Sequence, residues 1–168
     1  MATTDQKILA VVADVETSSH VLEAAVEQVQ QEAASLVVLH VMPYHVYYDR
    51  QRSYTTNRDF KSEGYTFTHD QAMESAENVA ERVAQATIDN REIPYTAVGR
   101  VGDVVPTVIA VAARHGCDTI LLPETEPWWR HVLGRADRRL TKRFEGTVVR
   151  VPRPVPQNLK TTRRLPKL

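Results

Sequence analysis

Four carboxylates, Asp14, Glu16, Glu124 and Glu126, stand just beyond two short apolar runs, Ile8 to Ala13 and Thr119 to Leu122. If those runs are neighbouring strands, the acids meet at one sheet edge, where they could hold a hard metal ion or work as an acid–base pair. The competing reading is a cleft closed by salt bridges, and the arginine-rich stretch from Arg130 to Arg143 favours it. Six histidines are scattered. His40 falls inside a strand-like run and His115 at a helix end, and both read as structural or solvated rather than metal-binding. Cys117 is the single cysteine. It can form no internal disulfide, it lacks the positive surroundings that activate a thiolate, and it reads as a small buried side chain in a reducing compartment. Trp128 and Trp129 could stack on a base, although such a pair more often packs on its own loop or on a partner subunit.

Several α/β chemistries are excluded outright. The residues after the first apolar run are Asp14-Val15-Glu16-Thr17-Ser18, so the glycines of a dinucleotide-binding turn are missing. No GxxxxGK[ST] phosphate loop, GxSxG elbow, HExxH or CxxC pattern occurs. A phospho-acceptor domain would need further acids and a lysine at strand ends, and only Asp14 fits. No nucleophile–base pair is visible, so no catalytic residue is assigned and an enzyme is not expected.

The elements that must position these groups alternate strictly. Ile8 to Ala13 reads as a strand buried on both faces. Thr17, Ser18 and Ser19 offer N-caps for a helix whose apolar residues are Val21, Leu22, Ala25, Val26 and Val29. Leu36 to Met42 is a second strand, stopped by Pro43. Thr68 and Gln71 form a capping-box pattern ahead of a helix with Met73, Ala76, Val79, Ala80 and Val83 inside. Tyr95 to Val101 is a third strand despite Gly99. Gly102 then turns the chain, Asp103 caps the next helix with Pro106 in its first turn, and Gly116 ends it. Thr119 to Leu122 is the fourth strand. A last helix places Val132, Leu133, Ala136, Leu140 and Phe144 opposite Arg135, Arg138, Arg139, Lys142 and Arg143, and Thr147 to Val151 is the fifth strand. Alternation of this kind predicts a single α/β domain with an open parallel five-stranded sheet, helices on both faces, and ligands at the carboxyl ends of the strands.

The domain is expected over residues 1–151. Within it, 44–69 is a polar and aromatic insertion loop carrying five of the six tyrosines. Its acids offset its arginines, so a lid over the cleft or an addition to a dimer surface is expected rather than a nucleic-acid platform. Residues 152–168 form a basic, proline-rich tail, expected to be extended or disordered. The tail reads as a solvated end, with a salt-dependent contact to a membrane surface or nucleic acid as the other possibility. The formal net charge is zero, which gives no whole-molecule attraction to nucleic acid or membrane. The polar N-terminus has no signal-like core and no run is of membrane-spanning length, so a cytoplasmic location is expected.

The segments KILAVVADV (7–15), SLVVLHVMP (35–43), VGRVGDVVPTVIAVAARHGCDTILLPE (98–124) and LGRADRRLTKRFEGTVVRV (133–151) together resemble the universal stress protein family. The resemblance implies strand order 3-2-1-4-5, a stress-response regulatory role, a regulatory protein partner, and homodimerisation through the last strand, Thr147 to Val151. Independently, an edge strand carrying Val148, Val149 and Val151 would be prone to aggregate unless paired. Many members bind ATP, and the resemblance places Asp14 and Val41 at the adenine end of the nucleotide cleft, with Gly134 and Arg135 at the phosphate end. The family's glycine pattern after strand four is degenerate here. Pro123 and Glu126 replace its first two glycines, and Arg135 replaces the hydroxyl residue after its third. A proline removes a backbone donor, and each carboxylate near a phosphate costs on the order of 1–4 kcal/mol. ATP binding in the family's usual manner is therefore not expected. The alternative is a member that binds ATP or another adenine nucleotide through a remodelled phosphate site, with Arg130 and Arg135 reaching the phosphates.

Overall fold

The computed structural model describes residues 6–56, 67–88, 91–124 and 136–154. Five runs rich in β-branched and aliphatic residues form the strands β1 (Lys7–Val11), β2 (Ser35–Met42), β3 (Tyr95–Val101), β4 (Thr119–Pro123) and β5 (Thr147–Val151). They make one sheet of order β3-β2-β1-β4-β5, and every adjacent pair is parallel. The architecture is the one that alternation predicts. The helices are α1 (Val15–Glu32), α2 (Tyr44–Thr56), α3 (His69–Ile88), α4 (Val104–His115) and α5 (Ala136–Arg143).

Successive strand residues point to opposite sides, and the sheet uses both. On one side Leu9, Val11, Leu39, Ile120 and Leu122 pack with Val108, Ala112 and Leu140. On the other, Ile8, Ala10, Val12, Val38 and Leu121 pack with Leu22, Ala25, Val26, Ala80 and Val83. Leu140 is almost fully buried, while Arg138, Arg139, Lys142 and Arg143 are exposed, so α5 is two-sided as its spacing requires. Val132 and Leu133 lie outside the described residues, as does the chain beyond Pro154. Among the described residues no helix is long and apolar enough to cross a membrane.

The capping box forms as read. The Thr68 N–H donates to Gln71 Oε1 at 2.9 Å, and the Gln71 N–H donates to Thr68 Oγ1 at 3.2 Å. Gly116 closes α4 in the left-handed conformation (φ 70°), and the Cys117 N–H returns to the Ala112 carbonyl at 2.8 Å. That six-to-one bond buries Cys117 against Ala112. Burial pushes its thiol up to about 11. Asp103 occupies the N-cap position of α4, but its side chain makes no capping hydrogen bond.

Other features were not read from the sequence. Helix α1 begins at Val15, ahead of the expected caps. Its end is left-handed at Ala33 (φ 51°), with the Ala34 N–H bonded to the Val29 carbonyl at 3.2 Å; this is a glycine-type closure made without glycine. The segment read as a loop from Tyr44 is helical as far as Thr56, because Tyr47 gives it a buried anchor among Met42, Phe67, Ala72 and Ala76.

Candidate functional site

Parallel strands with helices on both faces leave their carboxyl ends open at one rim, where β1, β2, β3 and β4 deliver Asp14, Val41, Gly102 and Glu124. The backbone just before Asp14 is clamped from two sides. Ser18, only 1% exposed, accepts the Ala13 N–H on its Oγ at 2.7 Å. His40 Nδ1 lies 2.9 Å from the Val12 carbonyl, an acceptor, so that nitrogen carries the proton. The Ser18 N–H then donates to the Asp14 carbonyl at 3.1 Å, opening α1. Ser18 is therefore a brace for the turn and not the free cap that its position in sequence indicates. Asp14 itself is exposed.

Desolvation is the main reason that the His40 pKa lies below its ordinary 6.5, and the positive charge of Arg50 adds to it. The bond to Val12 and the charge of Asp14 act the other way. His40 is thus a structural histidine, as expected, but its role at the site could not be read from a lone residue in an apolar strand.

Val41 is 6% exposed, and its side chain belongs to the core with Val98, Val104 and Val105. What it can offer a ligand is backbone. The Gly102 N–H donates to the Met42 carbonyl at 3.0 Å, tying the ends of β3 and β2 together. A Cβ at Gly102 would stand 2.9 Å from Thr107 Oγ1 and 3.8 Å from the Tyr44 hydroxyl, so the first residue of α2 reaches across this turn. The sequence reading places Tyr44 only within an insertion expected to be a lid over the cleft or an addition to a dimer surface, and singles out no role for it.

At β4 the ladder runs to its last residue. Pro123 pairs with Val151, and the Glu124 N–H donates to the Val151 carbonyl at 2.9 Å. Pro123 has no N–H, and the next amide is already engaged. These two positions cannot present donors to a phosphate, whereas the carboxylate of Glu124 stands exposed beside them. At this rim stand the exposed Asp14 and the backbone edge at the end of β2. Gly134 and Arg135, together with Glu126, Trp128, Trp129 and Arg130, lie outside the described residues, and the side chain of Glu16 does too. Of the sequence-predicted site residues, Asp14 and Val41 are described, Asp14 following β1 and Val41 near the end of the adjacent strand β2. Among the described residues no three His, Cys, Asp or Glu side chains converge as a metal site would require.

Residues 5–152 match the universal stress protein family. No curated protein matches the chain in sequence. Solved structures align over most of its length. Universal stress protein UspA from Lactobacillus plantarum has a TM-score of 0.59 at 16% identity, over 88% of this chain and 97% of that one. A universal stress protein in complex with cAMP gives 0.55 at 13%, over 88% and 96%. A family protein from Arabidopsis thaliana with AMP bound gives 0.53 at 14%, over 89% and 93%. At such identities the likeness is one of fold, and the strand order agrees with it. Because the family match runs through every strand, β1 to β5, the chain belongs to the universal stress protein family.

Proposed function

We propose that this protein is a cytoplasmic stress-response regulatory module that acts as a homodimer, reads an adenine mononucleotide at the base end of its cleft, and does not hold ATP by the family's usual phosphate loop. The observation that carries the reading is the engaged Glu124 amide behind Pro123. A triphosphate relies on free backbone donors after strand four, and the first two positions there offer none: Pro123 has no N–H and the Glu124 N–H serves the sheet. A nucleoside with one phosphate asks less of that end, and relatives of the same fold include proteins bound to AMP and to cAMP. Asp14 and the β2 end supply the adenine-side contacts. Gly134 and Arg135 belong to the phosphate end in this proposal.

The dimer reading rests on β5. It lies at the end of the sheet order, its residues are mostly exposed, and Val149 is 36% exposed on an unpaired edge. A second copy pairing along Thr147–Val151 would satisfy both its backbone and its valines. A regulatory protein partner would then read the state of the cleft.

Isothermal titration of the full chain with AMP and with Mg-ATP tests the nucleotide reading. AMP should bind at least as tightly as ATP. An affinity for ATP tenfold or more above that for AMP, about 1.4 kcal/mol, would overturn it. Size-exclusion with light scattering at micromolar concentration should report two copies, and a monomer would sink the dimer.

A further inference from the structure

Among the described residues the large hydrophobics that stand exposed are Val15, Tyr44, Tyr48 and Val149. Val149 belongs to the β5 edge. The other three lie in the helices that follow β1 and β2, Val15 next to Asp14 and Tyr44 and Tyr48 beyond Val41. Tyr47, between the two exposed tyrosines, is 9% exposed and sits in the core with Phe67 at 5.9 Å between ring centroids. Helical spacing then sends residues 44 and 48 together to another face of α2. There the Tyr44 and Tyr48 rings stack, with centroids 6.0 Å apart and planes 23° from parallel.

The Tyr44 ring is held at both ends. Its phenol end lies near the buried Gly102, where a Cβ would meet the hydroxyl at an ordinary contact distance of 3.8 Å. Its flank rests on Tyr48. A ring that only served the core would be covered as Tyr47 is, yet Tyr44 is 43% exposed. It is an exposed aromatic surface at the seam between the ends of β2 and β3, three residues beyond Val41, which the proposed nucleotide reading assigns to adenine. Aromatic rings lose little conformational freedom on binding, and this one is already positioned by its neighbour.

We propose that Tyr44 is the base-stacking residue of the cleft, supplied by helix α2, and that it selects a purine nucleoside monophosphate through the π-face of the base. This rests on the nucleotide reading given above and extends it to a residue outside the strand ends. Stacking of a base on an aromatic side chain is independent of backbone donors, so it can hold a ligand where Pro123 and Glu124 offer no free N–H.

The test is titration of the full chain with AMP for the wild type, Tyr44→Phe and Tyr44→Ala, each checked for an unchanged thermal midpoint. Tyr44→Phe should retain affinity. Tyr44→Ala should bind about five- to 150-fold more weakly, and the drop in adenine ultraviolet absorbance that accompanies stacking should vanish with it. Equal AMP affinity for wild type and Tyr44→Ala, or an absorbance change that survives in Tyr44→Ala, overturns this inference and leaves the nucleotide reading standing. A wild-type protein that does not bind AMP overturns both.

Discussion

Gly99 lies buried in β3 where α3 crosses it, in register with His40 on β2. A Cβ at this position would stand 2.0 Å from the Glu77 nitrogen, 2.5 Å from the Ala76 carbonyl carbon and 2.6 Å from the Glu77 Cα. All three are main-chain atoms, so no side-chain rotation relieves the overlap. In Gly99→Ala the helix must withdraw from the strand by about 1 Å, and a gap of that size forfeits a quarter to a half of the dispersion energy across the contact. The residues that would lose it, Ala76, Ala80, Val83 and Ala84, are essentially fully buried. Overpacking of this kind costs about 1–3 kcal/mol, and a clash with backbone belongs at the upper end. Reduced entropy of the unfolded chain returns about 0.4–1 kcal/mol of that. The net expectation is a loss of about 2 kcal/mol, or a fall in Tm of about 4–8 °C for a domain of this size. Circular dichroism during thermal and urea unfolding measures it, and the slope with urea should stay unchanged. Gly116→Ala is the control. Nothing lies within 4 Å of its Cβ, but its φ is 70°, so its cost of about 1 kcal/mol is one of backbone conformation alone. A Gly99→Ala protein that melts no lower than Gly116→Ala would refute the close approach of helix and strand.

Two further substitutions address the turn that holds Asp14. Ser18→Ala leaves the buried Ala13 N–H without its acceptor and should cost about 1–3 kcal/mol in urea unfolding, with a matching loss of AMP affinity; a neutral result would show that the brace carries no load. The depressed pKa of His40 makes stability depend on pH. Below its ordinary 6.5 the unfolded chain takes up a proton that the folded protein resists, so stability is full above that value and falls as the pH drops below it. His40→Asn keeps a donor for Val12 and removes the titration, so its urea midpoint should change less between neutral and mildly acid pH than that of the wild type. The slope that remains includes His115, whose pKa is also lowered, by partial burial and by Arg100, Arg114 and Lys7. Equal slopes in both proteins would sink this assignment.

The frame of the protein was legible because its signals are local. Continuous apolar runs mark strands buried on both faces, glycine at 116 marks a left-handed helix end, and Thr68 with Gln71 marks a helix start, each within a few residues of chain. Even α5 could be divided into its faces by counting, since Leu140 and the basic residues lie at fixed helical angles. Gly99 was visible only as an interruption of a strand. Its purpose, contact with the backbone of α3, joins residues more than twenty positions apart.

The sequence by itself determined the strands, their parallel arrangement and the position of Asp14 at a strand end, because periodicity and turn chemistry act over short stretches. Tertiary structure decided the character of the cleft. It turned Ser18 from an expected cap into a brace, brought His40 to the carbonyl of Val12 from the neighbouring strand, and engaged the Glu124 amide with β5. It also made a helix of Tyr44–Thr56 in the aromatic segment and set Tyr44 near Gly102. Each of these depends on which strand lies beside which and on where a helix is anchored. Such contacts form between groups that are distant in the chain and adjacent only once the sheet is assembled.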